Sequence, residues 1–265
     1  MSTKALLLAG GYGTRLSPLS DIWPKCLMPI KEKPLLEYWI DSLMDAGIDQ
    51  ILINLHYFSD EVKEFLERGK FKNSVKWVYE EELLGTAGTL KENHKFFRGG
   101  DIFLAHADNF CSADLGSFMQ AHNNKPKSCI ATMMTFTTDH PQSCGIVETN
   151  SDDILVEFHE KVERPPSNLA NAAVYLLNEE ILDWIDKHEK VFDFSIDVIP
   201  KLLGRVSVWN NNGIHIDIGT VENLIKSQEF DRKNSKIHKD QWHYSFLKHP
   251  IHKLIAKARE EHVSN

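Results

Sequence analysis

A chain of 265 residues, 42% hydrophobic and 26% charged, is long enough to bury the core of one large α/β domain, or of one domain with an appendage, and shows no sign of disorder. Its formal net charge of −8 disfavours a nucleic-acid-binding face, so an anionic ligand is expected in a local cleft. Cys26, Cys111, Cys129 and Cys144 form no Cys-x-x-Cys pair and no metal-ligand spacing, and no apolar run approaches the roughly 18 residues of a membrane span; a soluble, cytoplasmic protein with free thiols is expected.

From Ala5 the pattern alternates strand and helix. An apolar strand through Leu7 and Leu8 enters the glycine loop Gly10-Gly11-Tyr12-Gly13-Thr14-Arg15-Leu16. Pro34 opens a helix in which Leu35, Leu36, Trp39, Ile40, Leu43 and Met44 recur at helical spacing, and Gly47 closes it before a strand at 51–55. Ser59 is expected to cap a helix through Leu66. Val75, Trp77 and Tyr79 begin another strand, 86–95 reads as a helix, and 102–105 is a short buried strand. Repeated βα units predict a doubly wound, mostly parallel sheet flanked by helices, with ligands beyond the carboxyl ends of its strands.

The second half changes style. Apolar runs at 146–148 and 154–158 flank Asn150-Ser151-Asp152-Asp153 and predict a β-hairpin, a plausible sugar-binding subdomain. Residues 230–265 carry Trp242, Tyr244, Phe246, Leu247, Ile251, Leu254 and Ile255, as one or two amphipathic helices would, packed on the body or on another subunit of a homo-oligomer. His238, His243, His249 and His252 match no zinc spacing, and they are expected on a surface helix face.

Glycines at 10, 11 and 13 allow close approach and positive φ, so successive amides can face an anion. Two familiar phosphate loops are excluded, because Gly13 is followed by Thr14-Arg15 and not by Lys-Ser/Thr, and Leu16 stands where the dinucleotide fingerprint needs a third glycine. The cation sits inside the loop as Arg15, able to bridge two phosphate oxygens, and Lys25 offers a second, point-like charge.

The run from Gly10 to Leu16, followed by Pro18-Leu19-Ser20 and Pro24-Lys25, resembles the signature of the sugar-1-phosphate nucleotidyltransferases, among them mannose-, glucose- and heptose-1-phosphate guanylyltransferases. The similarity extends over roughly residues 3 to 228. It implies a fold of the nucleotide-diphospho-sugar transferase type, with Leu8, Ala9, Gly10, Gly11, Gly13 and Thr14 around a triphosphate and Arg15 and Lys25 as the catalytic cations. Asp108 follows the buried strand at 102–105, and Asp217 lies in Ile214-His215-Ile216-Asp217-Ile218-Gly219-Thr220. Patterning alone would equally make either a turn or cap residue; two converging carboxylates could hold Mg²⁺ against a triphosphate, and the resemblance implies that role for both. Ala107 replaces the glycine often seen before the first Asp.

Glu80-Glu81-Glu82-Leu83-Leu84-Gly85-Thr86-Ala87-Gly88 resembles the family's base-reading stretch. A carboxylate can accept both the N1–H and the N2–H₂ of guanine, so Glu80, or its neighbour Glu81, leans the base towards guanine; solvated glutamates are the plainer alternative. Gly85 and Gly88 would allow the backbone close to base and ribose, and the resemblance implies Gly85 and Thr86 in the nucleotide site. For the sugar 1-phosphate the resemblance implies Gly145, Glu160, Lys161 and Asn171, with Ala173 where a glycine is usual, and it draws attention to Asp193 and Ser195. The expected organisation is a nucleotidyltransferase domain over 1–228, its nucleotide half about 1–110 and its sugar half about 111–228, followed by a helical extension over 229–265. The reaction implied is nucleotidyl transfer from a nucleoside triphosphate, GTP favoured, to a sugar 1-phosphate. The same reaction with UTP, dTTP or CTP, and a non-catalytic nucleotide-sugar-binding regulator, stay open; neither a nucleic-acid nor a membrane partner is expected.

Overall fold

The computed structural model describes residues 2–188, 190–230 and 237–263. In chain order the elements are β1 (Lys4–Leu8), β2 (Pro29–Ile30), β3 (Lys33–Pro34), α1 (Leu35–Asp45), β4 (Ile51–Leu55), α2 (Ser59–Leu66) and β5 (Val75–Tyr79). Next come α3 (Gly85–Glu92), α4 (His94–Phe97), β6 (Ile102–His106), β7 (Asn109–Cys111), α5 (Leu115–Asn124) and β8 (Ala131–Thr137). The hairpin β9 (Gly145–Thr149) and β10 (Leu155–Glu160) leads to β11 (Leu169–Leu177), α6 (Glu180–Asp186), β12 (Val206–Asn210) and β13 (His215–Asp217). Helices α7 (Val221–Ser227), α8 (Gln241–Leu247) and α9 (Pro250–Val263) complete the described chain.

Helix α1 buries Leu35, Leu36, Trp39, Ile40 and Leu43 on one face. It ends where Gly47, at φ +82°, lets the amides of Gly47 and Ile48 return to the carbonyls of Met44 and Leu43 at 3.0 and 2.8 Å. Two expected boundaries are corrected. Ser59 is the first residue of α2 and not its cap: Phe58 occupies that place at φ +53° and makes no side-chain cap bond. The helix expected over 86–95 is two helices, interrupted at Asn93, whose side-chain amide donates to the carbonyl of Thr89 at 2.9 Å.

The chain divides into two compact units that interleave along the sequence. The first comprises the start of β1 with Leu84–His106 and Ala113–Gly213; the second comprises Leu8–Leu83, Ala107–Ser112 and the chain from Ile214 onward.

In the first unit β6 lies beside β1 and pairs antiparallel with the second half of β11, from Val174 opposite Ala105 to Leu177 opposite Ile102. Strand β8 flanks β11 on its other side and pairs in parallel with β12. The first half of β11 meets β9 at Ala170 opposite Ile146, and β9 carries β10 as the expected hairpin. The sheet is therefore mixed, a consequence of β11 running against its neighbours. The register of β11 on β8 shifts between Asn171 and Tyr175, where Ala173 takes φ +52°.

In the second unit β4 and β5 are parallel, from Ile51 opposite Val75 to Leu55 opposite Tyr79. A short antiparallel ribbon, β7 with β13, sets Asp217 opposite Asn109. The C-terminal helices pack on this unit: Trp242 meets Phe65 with ring centroids 5.0 Å apart, and Phe246 and Ile251 are buried. The surface placement expected for the tail histidines does not hold throughout, since His243 is buried and His249 lies against the ring of Trp23. Asp240 lies 3.8 Å from His238. Among the described residues no helix is long and apolar enough to cross a membrane.

Candidate active site

The glycine loop follows β1 and is pinned at both of its first peptides. Leu8 accepts from the amide of Ala107 at 3.0 Å, and the Ala9 amide donates to Oδ1 of the buried Asn54 on β4 at 2.8 Å. A Cβ on Gly10 would come 3.0 Å from Asn54 Nδ2, so the glycine there serves close packing. Gly13 at φ +66° turns the chain into a short 3₁₀ turn over Thr14–Leu16, closed by the Leu16 amide on the Gly13 carbonyl at 2.8 Å. Gly11, Thr14 and Arg15 are left exposed while Leu16 anchors the turn in the core.

The four charged residues singled out from the sequence meet in one cluster of the second unit. Lys25 Nζ donates to Asp108 Oδ2 at 2.7 Å and to Asp217 Oδ1 at 2.9 Å, and Arg15 Nη2 donates to Asp217 Oδ2 at 2.9 Å. The Leu8–Ala107 bond holds Asp108 beside the loop, and the β7–β13 ribbon carries Asp217 to it. Two cations and two carboxylates balance, so the cluster is formally neutral. Burial disfavours charge on Lys25, yet the two carboxylates outweigh it and raise its pKa. Burial opposes charge on Asp217 as well, but Lys25 and Arg15 prevail and hold its carboxyl down at about 2. Cys26, next in the chain, is buried, and its thiol is pushed up to about 12, chiefly by desolvation, which makes it an inert neighbour.

Sequence reasoning passed over several residues that shape this cluster. A Cβ on Gly219 would lie 2.8 Å from Arg15 Nη2 and 2.9 Å from Asp217 Oδ1, while the Gly219 amide donates to that oxygen at 2.9 Å. Asn223 on α7 donates to the Asp217 carbonyl at 2.8 Å. Gly219 was visible as part of the Asp-Ile-Gly-Thr run; Asn54 and Asn223 carry no local signal, because only folding brings them to the loop.

Glu80 directly follows β5 and is buried, whereas Glu81 and Glu82 are exposed, which separates Glu80 from the neighbour Glu81 that the sequence offered beside it. Its amide donates to Leu55 at 2.9 Å and its carbonyl pairs with His56 Nδ1 at 2.8 Å.

The remaining candidates belong to the first unit. Thr86 Oγ1 accepts from the Phe194 amide at 2.6 Å, and Asp193 caps the following turn through the amides of Ser195 and Ile196 at 2.8 and 3.0 Å. A side chain on Gly85, at φ +76°, would strike Phe192. Asn171 Nδ2 donates to the buried Tyr175 hydroxyl at 2.7 Å and lies 3.4 Å from Ser195 Oγ, while its Oδ1 accepts the Ala173 amide at 2.9 Å. Gly145 pairs with Glu160, and a Cβ there would meet Phe158 at 2.5 Å and Glu160 at 2.7 Å. Lys161, at φ +49° and 66% exposed, has Nζ 3.4 Å from Glu160 Oε1. Asn171, Tyr175, Ser195, Asp193 and Thr86 thus form one connected polar group, and Gly145, Glu160 and Lys161 another.

Comparison with known proteins places the whole chain. The nucleotidyl transferase family matches residues 4–234. The chain belongs to that family. A Sulfolobus acidocaldarius protein provisionally named a mannose-1-phosphate guanyltransferase is 34% identical over 84% of this chain and 61% of its own length. A UTP–glucose-1-phosphate uridylyltransferase of Synechocystis is 30% identical over 76% of this chain and 55% of its own. The D-glycero-alpha-D-manno-heptose 1-phosphate guanylyltransferase of Campylobacter jejuni is 30% identical over 83% of this chain and 96% of its own. Thus the chain spans only 55–61% of the first two relatives. Among solved structures, HddC from Yersinia pseudotuberculosis complexed with GMP-PN is 27% identical with a TM-score of 0.72, over 85% of this chain and 98% of that one.

Proposed function

We propose that this family member is a sugar-1-phosphate nucleotidyltransferase that uses GTP and releases pyrophosphate, working in the cytoplasm. The observation that carries the reading is the convergence of Arg15, Lys25, Asp108 and Asp217 within hydrogen-bonding distance at the end of a glycine loop. In the proposed reaction an oxygen of the sugar 1-phosphate attacks the α-phosphorus in line, and the bond from that phosphorus to the bridging oxygen of the β-phosphate breaks. The electron pair leaves with pyrophosphate, and no covalent enzyme intermediate is required.

Arg15 would meet the departing pyrophosphate and Lys25 would hold the phosphates in line, so that catalysis rests on positioning and charge. The donor set of Asp108 and Asp217 suits Mg²⁺, a hard cation that takes carboxylate oxygens and shares them with substrate phosphates; an oxygen of each already lies within 2.9 Å of the single ammonium of Lys25. Bound there, the metal would supply charge screening between the two anionic reactants. Glu80, buried directly after β5 where its neighbours are exposed, is assigned to guanine. Gly145, Glu160, Lys161 and Asn171 are assigned to the sugar 1-phosphate.

The test is pyrophosphate release with each of GTP, UTP, dTTP and CTP, in the presence of Mg²⁺ and mannose-, glucose- or heptose-1-phosphate. Turnover with GTP as the preferred nucleotide is expected. A strong preference for a pyrimidine nucleotide would remove the role given to Glu80, and binding of nucleotide without pyrophosphate release would replace the enzyme by a regulator.

A further inference from the structure

The family match ends at residue 234, and every member of the charged cluster precedes it, yet helices α8 and α9 reach both segments that support the cluster. Trp23 stands two residues before Lys25, and its Nε1 donates to the Leu27 carbonyl at 2.9 Å, so the indole is tied to the turn that carries the lysine. On the indole lie two rings of the tail, His249 with its centroid 4.2 Å away and Phe246 at 6.0 Å. Helix α9 packs against the turn at Leu19–Asp21, on the approach to Lys25, and against α7, whose Asn223 holds the Asp217 backbone.

The far end of this arrangement is anchored separately. Asp240 caps α8 through the His243 amide at 2.8 Å and accepts Arg68 Nε at 2.6 Å. Arg68 is buried, donates to Glu37 at 2.8 Å, and lies with its guanidinium carbon 4.9 Å from the centre of the Trp242 ring. An ion-paired guanidinium at one end and tilted ring contacts on Trp23 at the other make the tail a strap and not a loose appendage.

From this we infer that the C-terminal helices are a brace that positions Lys25 against Asp108 and Asp217, with His249 and Trp23 as the positioning residues through which it acts. Lys25 needs such support. A buried ammonium shared by two carboxylates keeps its geometry only if the turn that carries it cannot shift, and Leu27 in that turn is reached by the brace through Trp23. The consequence for turnover rests on the proposed reaction; the positioning of Lys25 does not.

The experiment compares His249→Ala, His249→Phe and, as a control on the same tail, the exposed Tyr244→Ala. Two readouts are taken on the full chain: acylation of each lysine by an N-hydroxysuccinimide ester, followed by mass spectrometry, and kcat and KM for pyrophosphate release. His249→Ala should raise the acylation rate of Lys25 about fivefold, the weight of one ring contact, and lower kcat by a similar factor. His249→Phe, which keeps a ring on Trp23, should restore both, and Tyr244→Ala should change neither. Unchanged Lys25 labelling in His249→Ala overturns the brace, as does a rise shared by all lysines, which would mean general loosening. A labelling response in a protein that releases no pyrophosphate retains the brace and removes the reaction; pyrophosphate release without a labelling response does the reverse.

Discussion

Arg15 is the exposed member of the charged cluster, its side chain 68% accessible and paired with a half-exposed Asp217. Such a pair contributes about 0–1 kcal/mol to stability, so its worth lies with the ligand. Arg15→Ala should therefore remove most pyrophosphate release while leaving the melting temperature nearly unchanged; near-normal turnover would exclude the assignment. Gly219→Ala acts on the same pair from behind, since its Cβ must displace Arg15 or the Asp217 carboxylate, and reduced turnover with a raised KM for GTP is expected. Ala173 makes a different case. It holds a left-handed backbone at φ +52°, which costs an alanine about 1–2 kcal/mol, while glycine would lose part of that gain to its freer unfolded chain. Ala173→Gly should stabilise the protein by about 0.5–1 kcal/mol, read as a higher denaturation midpoint. The identity at 173 was legible in the sequence as a departure from the family; its φ was not, because the register shift of β11 imposes it.

At the scale of elements, the C-terminal helices were legible as amphipathic segments, but the histidines on them were misjudged. His243 is buried, and Nε2 of both His243 and His252 has no hydrogen-bond partner among the described residues. A neutral imidazole packs as a small aromatic ring, and only its company, here Trp23 and Phe246, decides whether it does. Burial lowers the pKa of His243, His249 and His252 below the ordinary 6.5. On acidification the unfolded chain therefore takes up these protons first, and native stability falls from about pH 6.5 downward until the folded-state values are passed. The urea midpoint should be flat above about pH 7.5 and decline as the pH falls below about 6.5, and His243→Leu should reduce the decline. An equal slope in that variant would assign the effect to other groups.

At the scale of the molecule, Asp108 and Asp217 are distant in sequence and belong to one compact unit assembled from separate segments. The cluster they form with Arg15 and Lys25 is neutral, whereas a triphosphate brings several negative charges. If Asp108 and Asp217 take Mg²⁺ when Arg15 and Lys25 turn to phosphate, metal and nucleotide should bind with positive coupling. GTP and Mg²⁺ together should then raise the melting temperature by more than the sum of their separate effects, with EDTA removing the excess. Additive shifts would count against the metal assignment.

Taken alone, the sequence determined the βα alternation, the phosphate-type loop with its internal arginine, and the family, because periodicity, glycine and a cation at fixed spacing are local properties of a chain. It also named both aspartates. Only the tertiary structure decided that they share one ammonium, that Glu80 and not Glu81 is the buried acid, and that the tail lies on the Trp23 that precedes Lys25. Those are outcomes of strand pairing and side-chain packing between segments up to some two hundred residues apart, and no local spacing encodes which of them will meet.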